Sequence, residues 1–166
     1  DIAEVTEWVI DRTRSRFEPN SIEVLTNISS QIKTCAAVNP FYLRLALRAL
    51  VSNAIEALQR HAPDEGRRRI WINATRTMGT RAGTQWLNLI VRDNGPGIPD
   101  DIRDSIFERG FSTKDARGLG LGLSLVSMVA ESCGGLLQLT NNDSAGAEFW
   151  MRLPLSDEPI KEKTNE

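Results

Sequence analysis

Two stretches of alternation constrain this chain more than any other feature in it. Residues 67–77 carry Ile70, Ile72 and Ala74, and residues 85–92 carry Leu87, Leu89 and Val91, separated by polar or aromatic neighbours apart from Ile90. A period of two puts each apolar set on one face of an extended strand. The chain therefore needs a sheet with one apolar face and something to cover it. Residues 41–59 supply a cover: Leu43, Leu47, Leu50, Ala54 and Leu58 recur at helical intervals behind Asn39-Pro40, a strong helix start. Ile2, Val5, Val9 and Ile10 predict a second helix over 2–16, and 123–133 has the same character. Residues 136–141 and 147–153 read as a closing strand pair, and 22–27 with 31–36 as a hairpin or two adjacent strands. The expected architecture is α+β: a two-layer α/β sandwich, a mixed, mostly antiparallel sheet with helices on one face.

Composition narrows the function classes. With 166 residues, the length suits one domain over 1–155, followed by a charged, flexible tail at 156–166. The 20 Lys and Arg against 22 Asp and Glu leave a net charge of −2, so no global field favours nucleic acid or an anionic membrane, and any anionic ligand must be held locally. Cys35 and Cys133 are too few for a disulfide framework, and His61, the single histidine, removes His-rich metal sites and most nucleophile–histidine pairs. No run has the length and apolarity of a membrane span. The chain begins at Asp1 rather than at Met, as a piece of a longer protein would.

Between 93 and 122 lie six glycines and two prolines in 30 residues, a length and composition that suit a binding loop or lid better than filler. It opens with Asp93-Asn94-Gly95-Pro96-Gly97-Ile98-Pro99 at a strand end. Its glycines allow backbone to approach a flat ligand, and its carboxylate can accept from an exocyclic amine; a tight turn is the plainer alternative. It closes with Gly118-Leu119-Gly120-Leu121-Gly122-Leu123 ahead of a helix. Free N–H groups at that helix start suit a polyphosphate, and a flexible hinge is the alternative. Asn53 interrupts an apolar helix, where its amide oxygen is either a hard ligand for Mg2+ or a satisfied structural group. Glu56 follows on a similar face.

In order and spacing, these segments resemble the ATP-binding (GHKL, or Bergerat) fold shared by gyrase, the heat-shock chaperones, histidine kinases and mismatch-repair ATPases. Residues 50–57 are similar to the N box, 93–98 to the G1 box, 106–114 to the F box and 118–123 to the G2 box. Gly146-Ala147-Glu148-Phe149 resembles the last glycine motif. The Gly-Phe-Ser-Thr-Lys ending at Lys114 most resembles the catalytic and ATP-binding domain of bacterial two-component sensor histidine kinases.

The resemblance implies transfer of the ATP γ-phosphoryl group to a histidine. Asp93 would hold the adenine amino group, with Gly97 and Ile98 along the base, and Gly95, Glu56 and Ala57 would be further nucleotide-binding residues. Asn53 would coordinate Mg2+. Gly118, Leu119, Gly120, Leu121, Gly122 and Leu123 would bring backbone amides to the phosphates. Lys114 would pair with terminal phosphate charge as the catalytic cation, and Phe107 and Phe111 would anchor the lid. ATP and Mg2+ are the implied cofactors.

Departures from the family pattern are informative. Ala49 stands where many hydrolases of this fold carry a water-activating glutamate, and a methyl group cannot act as a general base. Glu56 stands where numerous histidine kinases have Lys or Arg, so a phosphate contact is missing or is supplied by Arg60 or Arg109. Ala147 replaces a frequent threonine. His61 lies in a turn, beside Arg60 and Pro63, without the helix context of a phosphoacceptor. The implied partners are thus a dimerisation and histidine-phosphoacceptor domain of the same or a partner kinase, and a response regulator, within a homodimeric parent. The implied location is cytoplasmic, with a parent anchored in the inner membrane. A nucleotide-sensing module without transfer chemistry and an anti-sigma-factor-type serine kinase are the alternatives.

Overall fold

A computed structural model describes residues 1–29, 32, 38–60, 67–79, 84–108, 110–111, 122–141 and 146–155. Helix α1 spans Ile2–Phe17, strand β1 Glu23–Ile28, helix α2 Pro40–Arg60, strands β2 Arg69–Met78 and β3 Gln85–Asp93, helix α3 Gly122–Ser132, and strands β4 Leu136–Asn141 and β5 Ala147–Leu155. Short 3-10 turns at Asp100–Ile102 and Ser105–Phe107 follow β3.

The helix starts are chemically specified. Asp1 accepts the Ala3 N–H at 2.8 Å, and Asn39 accepts the Phe41 N–H at 2.8 Å, with Pro40 in the first turn, where its missing N–H costs nothing. The inner stripe of α2 is Leu43, Ala46, Leu47, Leu50, Val51, Ala54, Ile55 and Leu58, all buried. Burying each of the larger side chains contributes about 1.5–3 kcal/mol, which outweighs the weak helix propensity of the β-branched members.

The five-stranded sheet runs β1-β2-β3-β5-β4. β2–β3, β3–β5 and β5–β4 are antiparallel, and β1–β2 is parallel, with Val24 opposite Ile70. A parallel partner requires a crossover, and α2 lies within it. β1 thus pairs in parallel with β2; of 31–36, the second half of the expected hairpin or adjacent strand pair, only Ile32, which is buried, lies within the described residues. Residues 156–166 lie outside them.

Ile70, Ile72, Ala74, Leu87, Leu89, Val91, Phe149, Met151 and Leu153 fill the sheet side of the core, as the alternation requires. The opposite parity carries Trp71 and Trp86, over which Arg92 and Arg152 lie at 5.0 and 4.7 Å from the ring centres. Guanidinium stacking lets this second face stand against water without a further layer. Among the described residues no helix is long and apolar enough to cross a membrane.

Candidate functional site

The alternation that buries Leu87, Leu89 and Val91 also delivers Asp93, the last residue of β3, to the helix side of the sheet. It is only 3% exposed. Its Oδ1 accepts the backbone N–H of Gly95 at 2.8 Å and of Ala147 at 3.3 Å, while Oδ2 accepts no bond from the described residues. Burial pushes its pKa from 3.8 up to about 6, outweighing the lowering by the two N–H donors and by the nearby Arg92 charge. One pinned oxygen and one free oxygen make a preorganised acceptor for a planar N–H donor.

The surrounding cradle comes from α2, the turn after β3, and the start of β5. A Cβ on Gly95 would stand 2.9 Å from Asp93 Oδ1 and 3.5 Å from the Ala57 Cβ, so the turn lies directly on α2 and leaves no room for a side chain. Gly146 has φ +110°, and its side-chain position is occupied by the Asp93 carbonyl oxygen. Only glycine satisfies both conditions. Gly97, with φ +75°, packs against Gly146 in turn. Asn94 braces the turn from outside, accepting the Arg69 N–H at 2.7 Å and donating to the Arg67 carbonyl at 2.8 Å.

Asn53 lies on α2 one turn before Ala57, half-buried, and its amide has no hydrogen-bond partner among the described residues. That favours the ligand reading over the satisfied structural amide. Among the described residues no group of three or more His, Cys, Asp or Glu side chains is gathered for a metal. A single amide oxygen is nevertheless a donor set that suits Mg2+ carried by a polyphosphate, since that ion keeps several waters and takes few protein ligands. Glu56, one turn along, is drawn to Arg16 of α1, whose Nη2 lies 3.3 Å from its Oε1.

Phe107 is half-buried and meets Phe149 edge-on, ring centres 6.5 Å apart, and Phe111 packs against the same core. Ile98 and Leu123 are half-buried against the core. Gly122 opens α3, and a Cβ there would meet no atom of the described residues within 4 Å. Lys114, Gly118, Leu119, Gly120, Leu121, His61 and Arg109 lie outside the described residues.

Sequence reasoning missed Arg16 and the Ala147 N–H. The first is a basic residue among several on an amphipathic helix, without a distinguishing signal. The second is a backbone group, so the replacement of threonine by alanine at 147 leaves this hydrogen bond to Asp93 intact.

The chain is 34% identical over 137 residues to hybrid signal transduction histidine kinase D of Dictyostelium discoideum, covering 78% of this chain and 8% of that protein. It is 37% identical over 112 residues to the C4-dicarboxylate transport sensor protein DctB of Pseudomonas aeruginosa, covering 67% of this chain and 17% of that protein. The chain thus spans less than a fifth of these relatives. Full-length ShkA, solved in complex with AMPPNP, superposes with a TM-score of 0.71 at 26% identity, over 94% of this chain and 30% of that one. The mycobacterial sensor histidine kinase MprB gives a TM-score of 0.74 at 24% identity, over 93% of this chain and 96% of that one, and shows the same fold. A family model described as histidine kinase-, DNA gyrase B-, and HSP90-like ATPase matches residues 39–157, which takes in α2, the Asp93 turn and β5. With that match across the whole cradle, the chain belongs to the histidine kinase-, DNA gyrase B- and HSP90-like ATPase family.

Proposed function

We propose that this domain binds ATP with Mg2+ and serves as the catalytic domain of a sensor histidine kinase. The observation that carries the reading is Asp93: a buried carboxylate with one oxygen pinned by backbone and the other free of the described residues, in a glycine-lined cradle one turn from Asn53, whose amide has no partner among them. The free oxygen accepts a hydrogen bond from the exocyclic amine of adenine, and Gly97 and Ile98 would lie along the ring. Asn53 Oδ1 would hold the metal that accompanies the phosphates. Mg2+, when bound, neutralises charge on the transferring phosphates.

In the transfer, a ring nitrogen of the acceptor histidine bonds to the γ-phosphorus, the bond to the β–γ bridging oxygen breaks, and ADP leaves. Positioning and charge neutralisation suffice for such a step. Gly118, Gly120 and Gly122, with Leu119, Leu121 and Leu123, would bring backbone amides to the phosphates, and Lys114 would meet the terminal charge. Ala49, half-buried against the core, offers no base to activate water, which favours transfer over hydrolysis. The acceptor histidine would sit on a dimerisation helix, with a response regulator downstream. The folded unit would be 1–155, since β5, the last strand in sequence among the described residues, ends at Leu155.

The test is to mix the domain with radiolabelled ATP, Mg2+ and a histidine-bearing dimerisation helix from a related kinase. The label should appear as acid-labile phosphohistidine. Acid-stable phosphoserine, or tight ATP binding without transfer to any matched acceptor, would reject the kinase assignment.

A further inference from the structure

We infer that Arg16 of α1 is a positioning residue for the nucleotide phosphates: it cancels the charge of Glu56, so that α2 presents no net negative charge beside Asn53. This rests on the ATP-binding reading above. The Arg16 guanidinium spans one turn of α2, with Nη1 donating to Ser52 Oγ at 3.0 Å and Nη2 to Glu56 Oε1 at 3.3 Å. Residues 52 and 56 bracket Asn53, whose amide is unengaged among the described residues. Neighbours three apart on a helix have Cβ atoms about 5–6 Å apart, so the Glu56 carboxylate stands beside the proposed metal ligand.

An uncompensated carboxylate there would repel a triphosphate. The spacing is shorter than the Debye length of about 8 Å at physiological salt, so bulk ions would not screen that repulsion away. With side-chain exposures of 37% for Arg16 and 29% for Glu56, the pair is also partly withdrawn from water. Arg16 supplies the compensation from 40 residues away in sequence, on a helix that precedes the matched region 39–157. Its planar fork serves a hydroxyl and a carboxylate together, which a lysine ammonium does less well. A partly exposed ion pair of this kind contributes little to folding, so its effect should be read in binding.

The experiment is isothermal titration of the domain with MgATP and, separately, with adenosine, which keeps the base and lacks the phosphates. Arg16→Ala should weaken MgATP binding about tenfold, equivalent to 1.4 kcal/mol, and leave adenosine affinity unchanged. In a Glu56→Gln background the same substitution should have little further effect, and Arg16→Lys should restore part of the loss. Unchanged MgATP affinity in Arg16→Ala, an equal loss for adenosine, or an undiminished loss in the Glu56→Gln background would overturn the inference. If Arg16→Ala fails to fold, comparing Arg16→Lys with and without Glu56→Gln decides it by the same criteria. A wild-type domain that binds no MgATP would overturn the ATP-binding reading itself, whereas normal wild-type binding with an indifferent Arg16→Ala overturns only the role of Arg16.

Discussion

Replacing Asp93 by Asn should make the domain more stable and less able to bind ATP. The carboxyl is raised from 3.8 to about 6 because burial disfavours its charged form more than the Gly95 and Ala147 N–H groups favour it. Below about pH 4 the folded and unfolded chains both hold this proton, and the group adds no pH dependence. Between about pH 4 and pH 6 the unfolded chain releases the proton while the folded chain keeps it, so stability falls as pH rises. Above pH 6 the whole cost is present: about 3 kcal/mol at 1.36 kcal/mol per pH unit.

Asn keeps the shape and an oxygen for the two backbone donors but carries no charge. At pH 7.5 the variant should therefore gain up to about 3 kcal/mol, a rise in Tm of roughly 6–12 °C for a domain of this size. At pH 4 the two proteins should be nearly equal. Urea titrations of both proteins across pH 4–8 measure the difference, and taking it cancels the other carboxylates. ATP affinity should fall at least about tenfold, because a neutral amide replaces the charged acceptor. A variant that is destabilised at pH 7.5, or a stability difference that does not change with pH, would refute the assignment of a buried charge held for function.

Gly146→Ala should destabilise the fold by at least about 2 kcal/mol, since its Cβ would meet the Asp93 carbonyl at a φ of +110°. Urea unfolding measures this, and a loss below about 0.5 kcal/mol would show that the cradle is looser than the structure has it. Asn53→Ala should weaken ATP binding in the presence of Mg2+ but leave adenosine binding intact. Titrations with Mg2+ and with EDTA should differ for the wild type and coincide for the variant; a retained Mg2+ effect would remove Asn53 from the metal site.

Much of the cradle was legible in the residues because its parts are local. The helical spacing of Leu43, Leu47, Leu50, Ala54 and Leu58 places Asn53 in the middle of a core helix, and α2 is formed over Pro40–Arg60. The alternation ending in Leu89 and Val91 carries Asp93 to the core side, and glycines mark the turn that follows. The partner of β1 was not legible, since any β-branched stretch can pair with several others and the choice of β2 depends on how α2 crosses over.

The sequence by itself determined which residues lie on helices and strands, which faces they share, and which side chains have the chemistry to hold a nucleotide. Those properties follow from periodicities of two and 3.6 and from the donor and acceptor inventory of each residue, none of which needs a distant partner. Only the tertiary structure decided that Gly146 closes on the Asp93 backbone, that the Ala147 N–H reaches the same carboxylate, and that Arg16 neutralises Glu56. Each joins atoms 40 or more residues apart, and two of them use backbone groups that every residue carries, so only the packing of α1, α2, β3 and β5 brings them together.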